Sequence, residues 1–420
     1  MTALFERARN TWNEYPKQFW VLFFGSLLNS TGGGLIYPFF SLYLTRRLQF
    51  TMTEVGVIFT MFAVTSVISQ VVGGILVDRW GRKPVMLVSM LGEAAGSLLL
   101  GLTTLTDLSQ GWARWSMVAV VVLIFGLTNS AFGPAVNAMM ADLIDGPKRL
   151  RAYGLIRVVQ NLGVSIGPAI GGIIINISYL ALFGVAATAS AVYMVIIALL
   201  IRETRPLAGQ ANQPAVSSQS QRYGLRMVLG DKVFLAFCFL LILIQIVYSQ
   251  MESTLPVYLN KSYGVTEQWY GLLMSTNAVV VVLFQFAITR KTAQYDKSVM
   301  MAVGSLFFAV GFGMFGFVSI LPLFFLAQVI WTIGEMITIP VGQAFVADIA
   351  PEAMRGRYMG FYGVAFSIGF GVGPLLGGAI MDGIGGQYIW YGAFILSLLV
   401  VGGFLALKRF FRPRGASGQV

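Results

Sequence analysis

The chain has 420 residues, 57% of them hydrophobic and only 11% charged, with a net charge of +11. Soluble domains carry about 25% charged residues, so a water-soluble enzyme built around one large core is excluded. Apolar runs of about 20 residues recur along the chain, each long enough to cross a bilayer, and they are continuous rather than alternating in period two, which excludes an outer-membrane barrel.

Residues 1–16 are polar and aromatic without a short apolar core, so no cleavable signal peptide is expected and the first run stays as a membrane helix. Twelve spans follow in chain order, at about 17–45, 54–80, 84–106, 114–142, 150–176, 179–202, 231–260, 265–290, 297–317, 321–348, 355–381 and 386–408. The fold class is therefore an all-α polytopic membrane protein of twelve transmembrane helices in two six-helix halves. The expected domains are a half over 1–202, a cytoplasmic linker over 203–230, a half over 231–408 and a cytoplasmic tail over 409–420. The linker is rich in Gln, Ser, Ala and Pro and reads as a flexible tether.

An even number of spans puts both termini on one side. That side carries 23 of the 28 Lys and Arg residues, four lie in the opposite loops (Arg46, Arg47, Arg114, Lys261), and Arg157 lies within a span. The positive-inside rule makes the basic side cytoplasmic. The charge thus sets topology, in a cell (inner) membrane, and implies membrane lipid rather than nucleic acid as partner. With no histidine and one cysteine, Cys238, neither a metal site nor a catalytic cluster is expected. The chain does not read as an enzyme.

The second span ends in GGILVDRWGRKP (73–84). Gly74 is expected to let this helix pack closely against a neighbour, and Gly81 to permit the turn into the third span. Asp78 stands at the negative C-terminal end of its helix, where a carboxylate needs a partner. A partner that comes and goes, the start of span 11 with Arg355 or Arg357, would make Gly74, Asp78, Arg79, Gly81, Arg82 and Lys83 a conformational latch.

The fifth span carries G-x8-G-x3-G-P-x2-G-G at Gly154, Gly163, Gly167, Pro168, Gly171 and Gly172, a pattern that brings helix backbones together. It recurs in the eleventh span, because 141–172 and 347–378 align without a gap at a distance of 206 residues. Such duplication marks a transporter of two repeats with its site between them.

These two motifs resemble the loop 2–3 signature and the helix 5 antiporter signature of the major facilitator superfamily. The whole chain is most similar there to the twelve-span drug/proton antiporters, including lactococcal-type multidrug facilitators. The resemblance implies alternating access by rocking of two halves, a monomer, a small-molecule substrate, and the proton gradient as energy source with no cofactor. One departure stands out. The family's R-x-x-Q-G in span 4 is VLIFG here, with Val122 and Phe125 in place of Arg and Gln and only Gly126 kept.

The remaining signal is acid in the membrane, which is costly and faces a bundle interior or a watery cavity. Glu335, in VIWTIGEMITIP (329–340), lies about 20 Å from either end of span 10 at 1.5 Å per residue. Its repeat counterpart is Asn129. Glu252 lies in span 7 before Leu255 and Pro256. A carboxyl taken out of water keeps its proton to higher pH and releases it when a cavity opens, so Glu335 and Glu252 are candidates for proton coupling and attraction of a cationic substrate. Resemblance adds Asp142 at the end of span 4 as a relay candidate. The residues alone suggest instead that Asp142 pairs with Arg149 or Arg151, and Asp348 with Arg355 or Arg357. Glu93 in span 3 reads as structural. The candidate pocket comprises Asn29, Tyr37, Asn129, Asn137, Asn161, Gln245, Tyr248, Asn277, Gln328 and Trp331. The expectation is proton-coupled export of lipophilic cationic drugs, with export of one specific metabolite as the alternative.

Overall fold

The computed structural model describes residues 12–105, 111–205, 227–351 and 354–409. Most of the expected tether and of the C-terminal tail lies outside these residues. The helices, in chain order, are α1 (Lys17–Arg46), α2 (Met52–Trp80), α3 (Arg82–Thr103), α4 (Trp112–Leu143), α5 (Gly146–Ile174), α6 (Tyr179–Leu200), α7 (Lys232–Tyr248), α8 (Gln250–Ser253), α9 (Leu255–Tyr263), α10 (Glu267–Thr292), α11 (Lys297–Phe317), α12 (Leu321–Ile349), α13 (Arg355–Gly383) and α14 (Gln387–Leu407). Among the described residues there is no strand.

Among the described residues, eleven candidate spans are long and apolar enough to cross a membrane, one of them running through α7 and α8. The remaining long helix, α5, has 29 residues, but Arg157, Gln160, Asn161 and its glycines dilute its hydropathy. Valines, leucines and phenylalanines stand exposed along the helices, Phe286 at 82% and Leu283 at 65% among them. A surface so apolar is stable only against hydrocarbon.

Span 7 is not one helix. It breaks at Ser249 and Thr254 into α7, α8 and α9. Pro256 has no N–H to give the carbonyl of Glu252, and that carbonyl instead faces the hydroxyl of Ser41 at 3.5 Å. Ser249, Ser253 and Thr254 return their hydroxyls to carbonyls three or four residues back, which competes with a regular helix ladder.

The chain forms two compact units, one drawn from residues 1–37 and 64–212, the other from 38–63 and 213–420. The boundary therefore passes through α1 and α2, residues 38–46 of the first and 52–63 of the second belonging with the second unit. Within the first unit α3 packs on α4 and α6, around Met86, Met90, Phe132, Met139 and Tyr193. Within the second, α11 packs on α12 and α14 in the same way, so the duplication read in sequence is repeated in packing. Gly311 sits against the backbone of Trp331, where a Cβ would come within 2.6 Å of its nitrogen.

Candidate functional site

The side chain with most to explain is Glu335 in α12. Its Oε1 accepts a hydrogen bond from the Tyr248 hydroxyl of α7 at 3.0 Å, and its Oε2 accepts from Asn277 Nδ2 of α10 at 2.7 Å. Asn277 Nδ2 also reaches Thr332 Oγ1 at 3.0 Å, one helical turn before Glu335. Three helices thus converge on one half-buried carboxylate, and its two oxygens each have a neutral donor.

The sequence around Glu335 fixes that geometry. A Cβ at Gly334 would lie 2.6 Å from the carbonyl of Gly304, so α11 and α12 touch backbone to backbone and the depth of Glu335 is set. Pro340 cannot donate to the carbonyl of Met336 four residues back. Gln285 Nε2 of α10 supplies that bond at 3.0 Å, as a buried carbonyl in a membrane helix demands. Trp331 and Gln328 are fully buried behind the site. Trp331 donates to Gln328 Oε1 at 3.1 Å, stacks on Phe312 and meets Tyr248 edge-on at 5.8 Å. They brace Tyr248 rather than line an open cavity.

Glu252, in α8, is within electrostatic reach of both Glu335 and Tyr248. The neighbouring Tyr270 of α10 donates to the carbonyl of Met251 at 2.6 Å.

The first unit holds a related but neutral contact: Asn129 Nδ2 of α4 donates to the Tyr37 hydroxyl of α1 at 3.3 Å. The other pocket candidates are dispersed. Asn29 Oδ1 and Gln245 Oε1 are buried without a partner among the described residues, Gly369 closing over the Cβ of Gln245. Asn161 and Asn137 are exposed, the latter accepting from Tyr153 through its backbone carbonyl. Glu93 is buried at 4%, its Oε2 also without a partner among the described residues.

At the end of the first unit where α4 gives way to α5, the expected pairings of Asp142 are replaced. Asp142 Oδ2 accepts from Arg82 Nε at 2.9 Å and from Thr204 Oγ1 at 2.9 Å. Arg149 instead turns back to the carbonyls of Ala141 and Ile144, and Arg151 binds Glu14. Asp348 likewise pairs with Lys297 rather than with Arg355 or Arg357. Arg82 and Lys297 both stand at the start of a closely packed neighbouring helix, α3 and α11, within easy reach of the ends of α4 and α12. Arg149 and Arg151, which follow Asp142 in sequence, are turned to other partners.

Glu203 completes this cluster and went unnoticed in sequence. Its carboxylate accepts from the backbone N–H groups of Arg82, Lys83, Thr204 and Arg205 at 2.9–3.0 Å. It caps the first turn of α3, whose donors have no helical partner. Gly81, at φ 105°, makes that approach possible, since a Cβ there would meet the same carboxylate. A Cβ at Gly74 would meet nothing within 4 Å, while one at Gly73 would lie 2.7 Å from Ala131 Cβ. The close helix contact expected of Gly74 belongs to Gly73. The available signal for Glu203 was an acid just past the end of a span, followed by Thr and Arg.

Partial burial pushes the Glu203 carboxyl upward, but the four backbone bonds outweigh it and hold it below its ordinary range. The folded value lies under the unfolded one, so its contribution is complete above the ordinary carboxylate range and is lost as pH falls through the folded value. Wild type should therefore lose thermal stability on acidification more steeply than Glu203→Gln, the two curves converging at low pH. Parallel melting curves across pH would exclude the cap.

The antiporter-type glycines serve helix contact. A Cβ at Gly167 would lie 2.6 Å from the Cα of Gly34, and one at Gly163 would lie 2.7 Å from Ser30 Cβ, both on α1. Pro168 Cδ lies against the same Gly34. Gly171 and Gly172 are buried, whereas Gly154 has open space around it. In the second unit Gly369 and Gly373 of α13 meet α7 in the same fashion, at the carbonyls of Ile242 and Ile246.

The family profile of the Major Facilitator Superfamily matches residues 22–290 and 253–420. An uncharacterized MFS-type transporter of Bacillus subtilis, YttB, is 29% identical over 92% of each chain. A Na(+), Li(+), K(+)/H(+) antiporter of Planococcus maritimus is 26% identical over 95% of this chain and 96% of its own. The multidrug resistance protein MdtH of Aeromonas hydrophila is 25% identical, over 86% and 87%. Among solved structures, the nucleoside transporter NupG superposes with a TM-score of 0.76 at 18% identity, covering 94% of this chain and 100% of that one. With two repeats of shared packing, eleven apolar spans and a profile match over nearly its whole length, the chain belongs to the Major Facilitator Superfamily and is a multi-pass membrane transporter, not an enzyme.

Proposed function

We propose that the protein exports lipophilic cationic compounds in exchange for protons, with Glu335 carrying the exchangeable charge. The observation behind this reading is the pair of neutral donors, Tyr248 and Asn277, on the two carboxylate oxygens of a mid-span acid. Neutral donors orient a carboxylate and leave a charge that a proton or an organic cation can answer in turn. The similarity to a multidrug resistance protein supports the substrate class. Glu252 is the second acid of the exchange. Asp142, tied to Arg82 and Thr204, is better suited to holding the cytoplasmic cluster than to relaying protons. Asp78, with Arg79, Arg355 and Arg357, remains the proposed cytoplasmic latch. The basic loops support both termini in the cytoplasm, and the energy source is the proton gradient.

A second reading, exchange of an alkali cation for protons, is favoured by the similarity to the Planococcus maritimus antiporter. Proteoliposomes separate the two. Under an imposed pH gradient the first reading expects movement of a cationic dye without alkali-metal flux. Sodium or potassium flux without dye movement would establish the second in its place.

A further inference from the structure

A second pattern joins two helices that the aligned repeats do not. GGILVDRWG (73–81) closes α2 and GGAIMDGIG (377–385) closes α13, both of the form G-G-x-x-x-D-x-x-G. The last glycine has positive φ in each, 105° at Gly81 and 117° at Gly385. Each aspartate stands at the C-terminal end of its own helix, where the helix dipole disfavours it.

Asp382 finds its compensation in α2. Its Oδ1 accepts from the backbone N–H of Met52 at 3.1 Å, and its Oδ2 accepts from the N–H and hydroxyl of Thr53 at 2.6 and 2.7 Å. These are the first residues of α2, whose N–H groups have no partner within the helix. The local capping box, Thr51 with Glu54 at 2.8 and 3.2 Å, satisfies other donors and leaves these two to Asp382. The backbones then run together below the cap. Gly378 lies against the carbonyl of Met52, a Cβ at Gly56 would lie 2.6 Å from the carbonyl of Pro374, and Thr60 Oγ1 donates to the carbonyl of Gly371 at 2.7 Å. Residues 38–63 and 213–420 form one compact unit, so all of this is internal packing of that unit.

We propose that Asp382 is the positioning residue of an outer latch, which holds the first turn of α2 on the end of α13 and releases it when the outer side opens. The shared pattern makes it the counterpart of Asp78 at the opposite end of α2. The cap itself is three hydrogen bonds, two of them exposed, and removal of a cap is a change of about 1 kcal/mol, enough to bias one state.

The test reads conformation without substrate or ion gradient, so it does not depend on what is exported. In a Cys238→Ser background, Arg47→Cys and Ser262→Cys carry nitroxide labels, and their distance distribution is measured in lipid nanodiscs. Removing an N-terminal cap shifts an equilibrium by roughly tenfold, so Asp382→Ala should raise the ratio of long to short distances by about that factor. Asp382→Asn keeps one capping oxygen but sets an amide NH2 where the other accepts, and should give a smaller shift than Asp382→Ala. Distances unchanged in Asp382→Ala, or shifted equally by Asp382→Asn, would overturn the latch. Should Asp382→Ala not fold, Gly378→Ala decides: its methyl meets the Met52 backbone, and an unchanged distribution there is equally fatal.

Discussion

Glu335→Gln should reduce pH-gradient-driven export of a cationic dye to the level of empty liposomes while the protein still inserts and folds. Glutamine keeps the size of the side chain and still offers an oxygen to Tyr248 or Asn277, so the three-helix junction survives. What is lost is the ability to be neutral in one state and charged in the next. Asn277→Ala should give partial loss, since hydrogen bonds to a charged group contribute about 1.5–3 kcal/mol and Tyr248 remains. Tyr248→Phe should be similarly partial. Initial export rates in proteoliposomes at fixed pH difference check the series. Undiminished export by Glu335→Gln would remove this residue from the coupling mechanism altogether.

A second large effect is expected from Gly167→Val. The new Cβ would arrive 2.6 Å from the Cα of Gly34 and 2.8 Å from the carbonyl of Thr31. Overpacking costs roughly 1–3 kcal/mol when side chains can yield. Here the obstacle is backbone, so the penalty sits at the upper end and α1 must separate from α5. Gly154→Val, in the same motif, places its Cβ where nothing lies within 4 Å and should melt much closer to wild type. Thermal unfolding of the two purified variants side by side provides the measurement. Equal melting temperatures would mean that the glycine spacing of the motif serves something other than this contact, an interpretation the Gly34 geometry disfavours.

Much of this architecture was legible in the sequence because bilayer thickness and backbone hydrogen bonding leave few solutions. The spans, their charge bias and the duplication follow from hydropathy and spacing. Glu335 was legible because an acid amid apolar residues is conspicuous. Its donors were less so: Asn277 and Tyr248 stood among ten polar candidates, and nothing local distinguishes them from Asn161 or Asn137, which the fold leaves exposed. The ion pairs are hidden for a similar reason. Asp142 has arginines near it in sequence, whereas its partner Arg82 lies 60 residues earlier, on another helix. Glu203 was invisible because its partners are backbone N–H groups, which carry no residue signature. The break in span 7 had a visible cause in Pro256, but its position depended on hydroxyl bonds that only packing reveals.

The carbonyl freed by Pro340 has a consequence for movement. Gln285, which satisfies it, and Asn277, which holds Glu335, both belong to α10. Two bonds, made at the adjacent residues Glu335 and Met336 of α12 and eight residues apart along α10, therefore join the two helices. On the proposed exchange, Glu335 and its amide donor are expected to move together, Asn277 staying on the carboxylate. Its exposure has to be governed by the helices that slide past this pair, with Tyr248, on the separate and broken seventh span, as the donor free to leave.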